Sequence, residues 1–157
     1  MGRIRIYCGD GKGKTAAVIG QGLQYADQGK TVFMIQFLKG KFETKLLSRL
    51  EPEMKCFCFE KAEVPYQDLN DAERQEENLN VINALNFARK VLSTGECDVL
   101  ILDELLGVVD NQIITMEQVK ELLGCKQGDQ EILLTGNSIK DALVCLADEV
   151  YQIQCMK

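Results

Sequence analysis

The stretch CGDGKGKTAAVIG, residues 8–20, decides how the rest of this chain is read. It follows the apolar run Ile4–Tyr7, and three glycines (Gly9, Gly11, Gly13) alternate with Asp10 and Lys12 before Lys14 and Thr15. Glycine loses more conformational freedom on folding than any other residue, so three in five positions need a reason. A glycine-rich turn between a strand and a helix lets backbone amides wrap an anion, and the helix start adds partial positive charge. Gly13-Lys14-Thr15 fit the end of the pattern G-x-x-x-x-G-K-[ST], in which the lysine reaches terminal phosphates and the hydroxyl binds magnesium. The first glycine of that pattern falls on Cys8, with Gly9 next door. Lys12 makes the loop doubly basic, which suits a polyanion such as a triphosphate. The expected phosphate cradle is therefore Gly9, Asp10, Gly11, Lys12, Gly13, Lys14 and Thr15.

Outward from this loop the chain alternates strands and helices. Strands are expected at residues 3–7, 31–37, 54–59, 98–103, 131–135 and 149–154. A helix from Lys14 to Gln28 should stop at Gly29. A short helix is expected at 43–50. A long one should begin near Asn70, where Asn70 and Glu73 have capping-box spacing, and end at Gly95. Its apolar stripe reads Leu79, Ile82, Leu85, Phe87, Ala88, Val91 and Leu92. Thr115 and Gln118 form a second capping-box pair before a helix ended by Gly124, and Ser138 can cap a helix over 139–147. Such alternation predicts an α/β fold, a mostly parallel six-stranded sheet with helices on both faces. Ligands in such sheets sit beyond the carboxyl ends of the strands. That edge should gather Gly9–Thr15, Lys39–Gly40, Asp103–Glu104 and Thr135–Ser138.

The run VLILDE, residues 99–104, is the second chemical element. An apolar strand ending in acids complements a phosphate loop: one carboxylate can hold magnesium and another can polarise a nucleophile. Asp103 and Glu104 are the candidates, with Thr15 as the hydroxyl on the metal and Lys14 and Glu104 as the groups nearest the chemistry.

Composition bounds the rest. The 157 residues, 46% apolar, suit a single domain over 1–157. A net charge of −6 argues against a nucleic-acid partner, which calls for a basic face. No apolar run reaches the roughly 18 residues of a membrane span, and no secretory signal precedes the first strand, so a cytoplasmic protein is expected. Seven cysteines, an odd number, point to reduced thiols; Cys56 and Cys58 share a strand face but make a weak metal motif. The chain has no histidine, which excludes Ser-His-Asp and Cys-His machinery and any His-ligated catalytic zinc.

The loop GDGKGKTAA (9–17), followed by VFMIQFLKG (32–40), resembles the ATP:corrinoid adenosyltransferase family of the P-loop, cob(I)alamin type. The family's loop reads G-[ND]-G-K-G-K-T, and its second strand ends in V-Q-F-[LI]-K-G, matched by Gln36 to Gly40. Leu100–Glu104 match its fourth strand, Leu134–Gly136 its fifth, and Leu146–Asp148 a later L-A-D. The resemblance implies a three-layer, RecA-like P-loop fold that binds MgATP, in reversed polarity, with a reduced corrinoid above it. Cobalt(I) would attack the 5′ carbon of ATP and release triphosphate. It implies that Gly11 to Ala16 line the phosphates and that Thr15 and Glu104 lie on the magnesium side. It also implies an aromatic pair that keeps the corrinoid's lower face free of its nucleotide base; Phe57 and Phe59 of FCFE align with it, though both also suit the inward face of a strand. A homodimer and a flavoprotein-type reductant are implied as well. The chain departs from the family at Ala16, where a threonine is usual, at Asn137, often arginine, and in the apolar 105–110 segment; the family pattern runs on past the sixth strand into a basic tail. Two alternatives stay open on the residues alone: a P-loop ATPase or small-molecule kinase, and a nucleotide- or corrinoid-binding module without turnover.

Overall fold

In the computed structural model, which describes residues 1–40 and 45–157, the apolar runs form six strands. They are β1 (Ile4–Cys8), β2 (Val32–Gln36), β3 (Met54–Cys58), β4 (Val99–Asp103), β5 (Glu131–Thr135) and β6 (Glu149–Gln152). Every neighbouring pair is parallel, in the order β3-β2-β4-β5-β1-β6. All residues of β2, β4 and β5 are buried, which is why these runs are continuous rather than alternating in polarity. Their side chains nevertheless alternate between two cores. Ile6, Phe33, Ile35, Leu100, Leu102, Ile132 and Leu134 face one; Tyr7, Val32, Met34, Val99, Ile101 and Leu133 face the other.

The second core is covered by α1 (Lys14–Asp27), through Val18 and its neighbours. The first and larger core takes residues from α2 (Asp71–Thr94), α3 (Leu105–Asp110), α4 (Met116–Gly124) and α5 (Asp141–Val144). The expected three-layer α/β architecture is present, with an all-parallel sheet and, among the described residues, α1 as the α-helix on the face of the second core. Both capping boxes form. Asn70 accepts from the Glu73 amide at 2.9 Å and Glu73 accepts from the Asn70 amide at 2.9 Å. Thr115 and Gln118 do the same at 3.2 and 2.8 Å.

Several local expectations change. Leu79 is 68% exposed, because the stripe of α2 runs Val81, Ala84, Leu85, Ala88, Val91, Leu92, and a residue two positions from Val81 points away at 100° per residue. The helix expected over 139–147 contracts to four residues, and Lys140 precedes it. Ser138 does not cap it; its hydroxyl donates to Asp110 at 2.7 Å. Leu105–Asp110, for which the sequence reading names no element, is helical, since six largely apolar residues show no readable period. Of the helix expected at 43–50, residues 43 and 44 lie outside the described residues, and Leu47–Leu50 is a 3₁₀ turn. Because all six strands run the same way, Cys8, Gln36, Asp103 and Thr135 end at one edge of the sheet, and their following loops meet there.

Candidate active site

Cys8 is the last residue of β1, buried and in register with Gln152 of β6, so it belongs to the sheet and not to the turn. The turn starts at Gly9, which accounts for the missing glycine at position 8. Gly9 has φ +114°, and a side chain there would meet the Ile153 carbonyl oxygen at 2.2 Å. Gly13 has open space around it but φ +104°, a conformation that disfavours any side chain. The Gly9 amide donates to Asn137 O at 2.9 Å and the Gly11 amide to Ile153 O at 3.0 Å, so the loop is strapped to the segments after β5 and β6.

Gly13 is the N-cap of α1 and offers no side chain to its first turn, which also lacks an acidic residue. α2 and α4 cap themselves; α1 leaves its first-turn amides without a side-chain partner, the condition under which a helix start binds an anion. Lys14 is buried and folds back over the loop, donating to Gly9 O at 2.7 Å and Gly11 O at 2.9 Å. Asp10, Lys12 and Ala16 are exposed.

Asp103 is 0% exposed and carries the most partners at this edge. Thr15 donates its hydroxyl to Asp103 at 2.9 and 3.1 Å to the two oxygens, and Thr135 donates to Oδ1 at 2.7 Å. Lys39, from the loop after β2, pairs with Asp103 Oδ2 and donates to Thr15 Oγ1 at 2.6 Å. The buried carboxylate thus has a cation and two hydroxyls, which is what a buried charge requires. Glu104 follows with φ +67°, its amide bonded to Thr135 Oγ1 at 2.8 Å. Left-handed backbone at a non-glycine residue is a strain that clusters at functional sites. Burial, and next the Asp103 charge, push the Glu104 carboxyl above the usual carboxylate range, while Lys39 and Lys14 pull it back. Beside it opens a cavity of about 580 Å³, bordered by Glu104, Lys39, Leu38, Tyr66, Gly107 and Asn137. That is within the size range of small-molecule sites.

The geometry therefore brings Lys14, Thr15 and Asp103 together, with Glu104 adjoining. It adds Lys39 and Thr135, which the sequence placed only within loops; their signal was position, directly at the ends of β2 and β5. Phe57 and Phe59 are half-buried against the larger core. The Phe57 ring lies 5.1 Å from Phe33 and 4.8 Å from Phe87, and Phe59 lies 5.4 Å from Phe87. Thr15, Asp103 and Glu104 supply hard oxygen donors, and Lys39 shows that the space between Thr15 and Asp103 takes a positive charge. Among the described residues no cluster of three or more His, Cys, Asp or Glu forms a metal cage. Magnesium binds through one or two carboxylates and completes its shell with water and phosphate oxygens, and the oxygens of Thr15, Asp103 and Glu104 are donors of the type it takes.

Residues 1–157 match the family ATP:corrinoid adenosyltransferase BtuR/CobO/CobP. The chain belongs to that family. The corrinoid adenosyltransferase CobA of Salmonella typhimurium (strain LT2) is 27% identical over 156 residues, covering 99% of this chain and 78% of that protein. The corrinoid adenosyltransferase of Escherichia coli (strain K12) gives the same values, and that of Pseudomonas aeruginosa is 23% identical over 164 residues, 99% and 76% of the two chains. Among solved structures, domain III of the Thermotoga maritima replication initiation protein DnaA aligns with TM-score 0.45 and 16% identity, over 96% of this chain and 53% of that one. C. elegans PCH-2 aligns with TM-score 0.45 and 18% identity, over 96% and 34%. This chain therefore spans about half and about a third of those two. In this member of the adenosyltransferase family a buried Cys8 ends the strand before the loop and the first turn of α1 carries an exposed Ala16. No helix among the described residues is long and apolar enough to cross a membrane.

Proposed function

We propose that residues 1–157 act as one nucleotide-binding unit that holds MgATP on Gly9–Ala16 and moves its 5′-deoxyadenosyl group to the cobalt(I) of a reduced corrinoid, releasing triphosphate. The observation that carries this reading is the meeting of Lys14, Lys39, Thr15 and Asp103 at the uncapped start of α1, in a chain of this family. The cobalt electron pair forms the bond to the 5′ carbon, the carbon–oxygen bond breaks, and its pair stays on triphosphate. A metal nucleophile carries no proton, so no general base is needed, and a chain without histidine loses nothing by that lack.

What the reaction does need is positioning and neutralisation of a leaving polyanion. The loop amides, the first-turn amides of α1 and Lys14 hold the phosphates, and Lys39 lies within reach as a second cation. Thr15, Asp103 and Glu104 are the groups that hold magnesium, which when bound neutralises phosphate charge. The cavity bordered by Glu104 and Lys39 receives the acceptor. A separate flavoprotein-type reductant delivers the electron to cobalt, the chain works as a homodimer, and the reaction is cytoplasmic.

The test is incubation with MgATP and chemically reduced corrinoid, followed by the corrinoid spectrum and phosphorus NMR. Triphosphate and a light-sensitive alkylcorrinoid are expected, formed only with reduced corrinoid. ADP formed without corrinoid defeats the proposal and favours phosphotransfer; bound ATP with no product favours a binding module.

A further inference from the structure

Glu60 is a buried carboxylate, 5% exposed, that the chemistry above does not use. Its two oxygens are taken separately by backbone amides: Leu38 N–H donates to Oε1 and Gly40 N–H to Oε2, the latter at 3.0 Å. No basic side chain among the described residues pairs with it. The two amides flank Lys39. Leu38 has φ +64° and Gly40 φ +69°, so the chain turns twice into left-handed backbone and aims both N–H groups at one point. Alternating backbone of this kind makes a concavity that binds an anion. A side chain at Gly40 would meet Val64 O at 2.7 Å and Ala62 O at 2.9 Å, so the loop is packed against the 62–64 segment. That segment is anchored in turn: buried Glu77 of α2 accepts from Lys61 N at 3.1 Å and from Ala62 N at 3.3 Å. Leu38 O accepts from Tyr66 N at 3.3 Å.

We infer that Glu60 is a positioning residue: it clamps the Leu38–Gly40 backbone so that Lys39 is delivered to Thr15 and Asp103 in a preset orientation. Left-handed backbone at a leucine is unfavourable and persists only where its surroundings hold it, and here the clamp comes from a single carboxylate gripping both sides of one lysine. A cation fixed before substrate arrives loses less freedom on binding than a mobile one. The clamp's part in catalysis rests on the phosphate-site reading above; its effect on Lys39 does not.

The variant Glu60→Gln isolates the effect. An amide keeps the size but faces one of the two backbone N–H donors with its own NH₂, so one bond must break. Glu60→Asp keeps the charge and covers the case in which the glutamine variant folds poorly. In protein labelled at the lysine ε-carbon, the Lys39 signal, identified by its loss in Lys39→Met, is expected apart from those of the exposed lysines. In Glu60→Gln it should move to join them. Calorimetry of MgATP should show Glu60→Gln about tenfold weaker and Lys39→Met ten- to about a hundredfold weaker. Glu60→Gln should add less than about twofold on the Lys39→Met background, because residues acting through one another are not additive. An unmoved Lys39 signal in both Glu60 variants, or full additivity with Lys39→Met, overturns the inference, and a lowered melting temperature alone would produce neither expected result. If the wild type binds no MgATP, the function proposed above fails while the lysine spectrum still decides the clamp.

Discussion

Thr15 and Asp103 stand 88 positions apart in the chain, yet the Thr15 hydroxyl lies 2.9 and 3.1 Å from the two oxygens of the Asp103 carboxylate. This contact ties the first turn of α1 to the end of β4 across the width of β5, the strand that separates β1 from β4. It fixes the distance between the phosphate loop and the acidic strand end, and so sets which of the two acids carries structure and which faces the cavity.

Asp103→Asn should therefore be the more damaging of the two acid substitutions. It removes the charge from a fully buried group that satisfies Lys39, Thr15 and Thr135, and leaves Lys39 facing a neutral amide. Breaking a buried pair by removing one partner costs several kcal/mol; with Lys39 partly exposed, about 2–3 kcal/mol is expected. Glu104→Gln should change stability by less than about 1 kcal/mol while lowering turnover. Urea unfolding of both variants checks the order, and equal stabilities would contradict it.

Lys14→Ala should weaken MgATP by about one to two decades, the worth of a hydrogen bond to a charged group. The same change removes the brace from Lys14 to Gly9 O and Gly11 O, so the loop should also become more open to protease. Titration calorimetry and limited proteolysis with and without MgATP read the two effects separately. An affinity equal to wild type would remove the loop from the site.

Cys8→Ser separates sheet from loop. The thiol is buried in the larger core, so a serine hydroxyl must go without water there. A loss of about 1–3 kcal/mol in stability is expected, with nucleotide affinity unchanged at temperatures where the variant is folded. A large drop in affinity of the folded variant would place the phosphate cradle one residue earlier.

Alkaline pH should destabilise the protein through two of its thiols, the buried Cys97 and the half-buried Cys56. Burial pushes the Cys97 thiol up to about 12 and Cys56 to about 11, from a usual value near 9. Above pH 9 the unfolded chain releases these protons while the folded chain keeps them. The unfolded state then binds fewer protons, and stability falls as pH rises, from 9 until the folded groups ionise. Cys97→Ala removes one such group, so the stability gap between wild type and variant should narrow between about pH 9 and 11. Denaturant midpoints at pH 7, 9 and 10.5 would show it; a constant gap would contradict it.

The fold was legible because two kinds of local information sufficed. Continuous apolar runs such as Val99–Leu102 and Ile132–Leu134 announce strands buried on both faces, and capping pairs such as Asn70 with Glu73 mark helix starts that need only neighbours in sequence. The phosphate loop was legible for the same reason, since Gly13, Lys14 and Thr15 act within one turn. Where the signal was short or two periods overlapped, as in Leu105–Asp110 or around Leu79, packing decided, because a six-residue segment takes the conformation that buries it best.

Only the tertiary structure decided how the loops divide the chemistry. The sequence by itself determined that a glycine loop, a lysine after β2 and an acidic pair after β4 exist, and that parallel strands bring them to one edge. It held no trace of Lys39 pairing with Asp103, of Thr135 joining Asp103 to the Glu104 amide, or of Glu60 gripping the backbone on both sides of Lys39. Those contacts link residues 20 to 64 positions apart and depend on strand order and on left-handed turns at Leu38 and Glu104. Hydrogen bonds act over about 3 Å, so which groups meet is set by the packed sheet and not by their spacing along the chain.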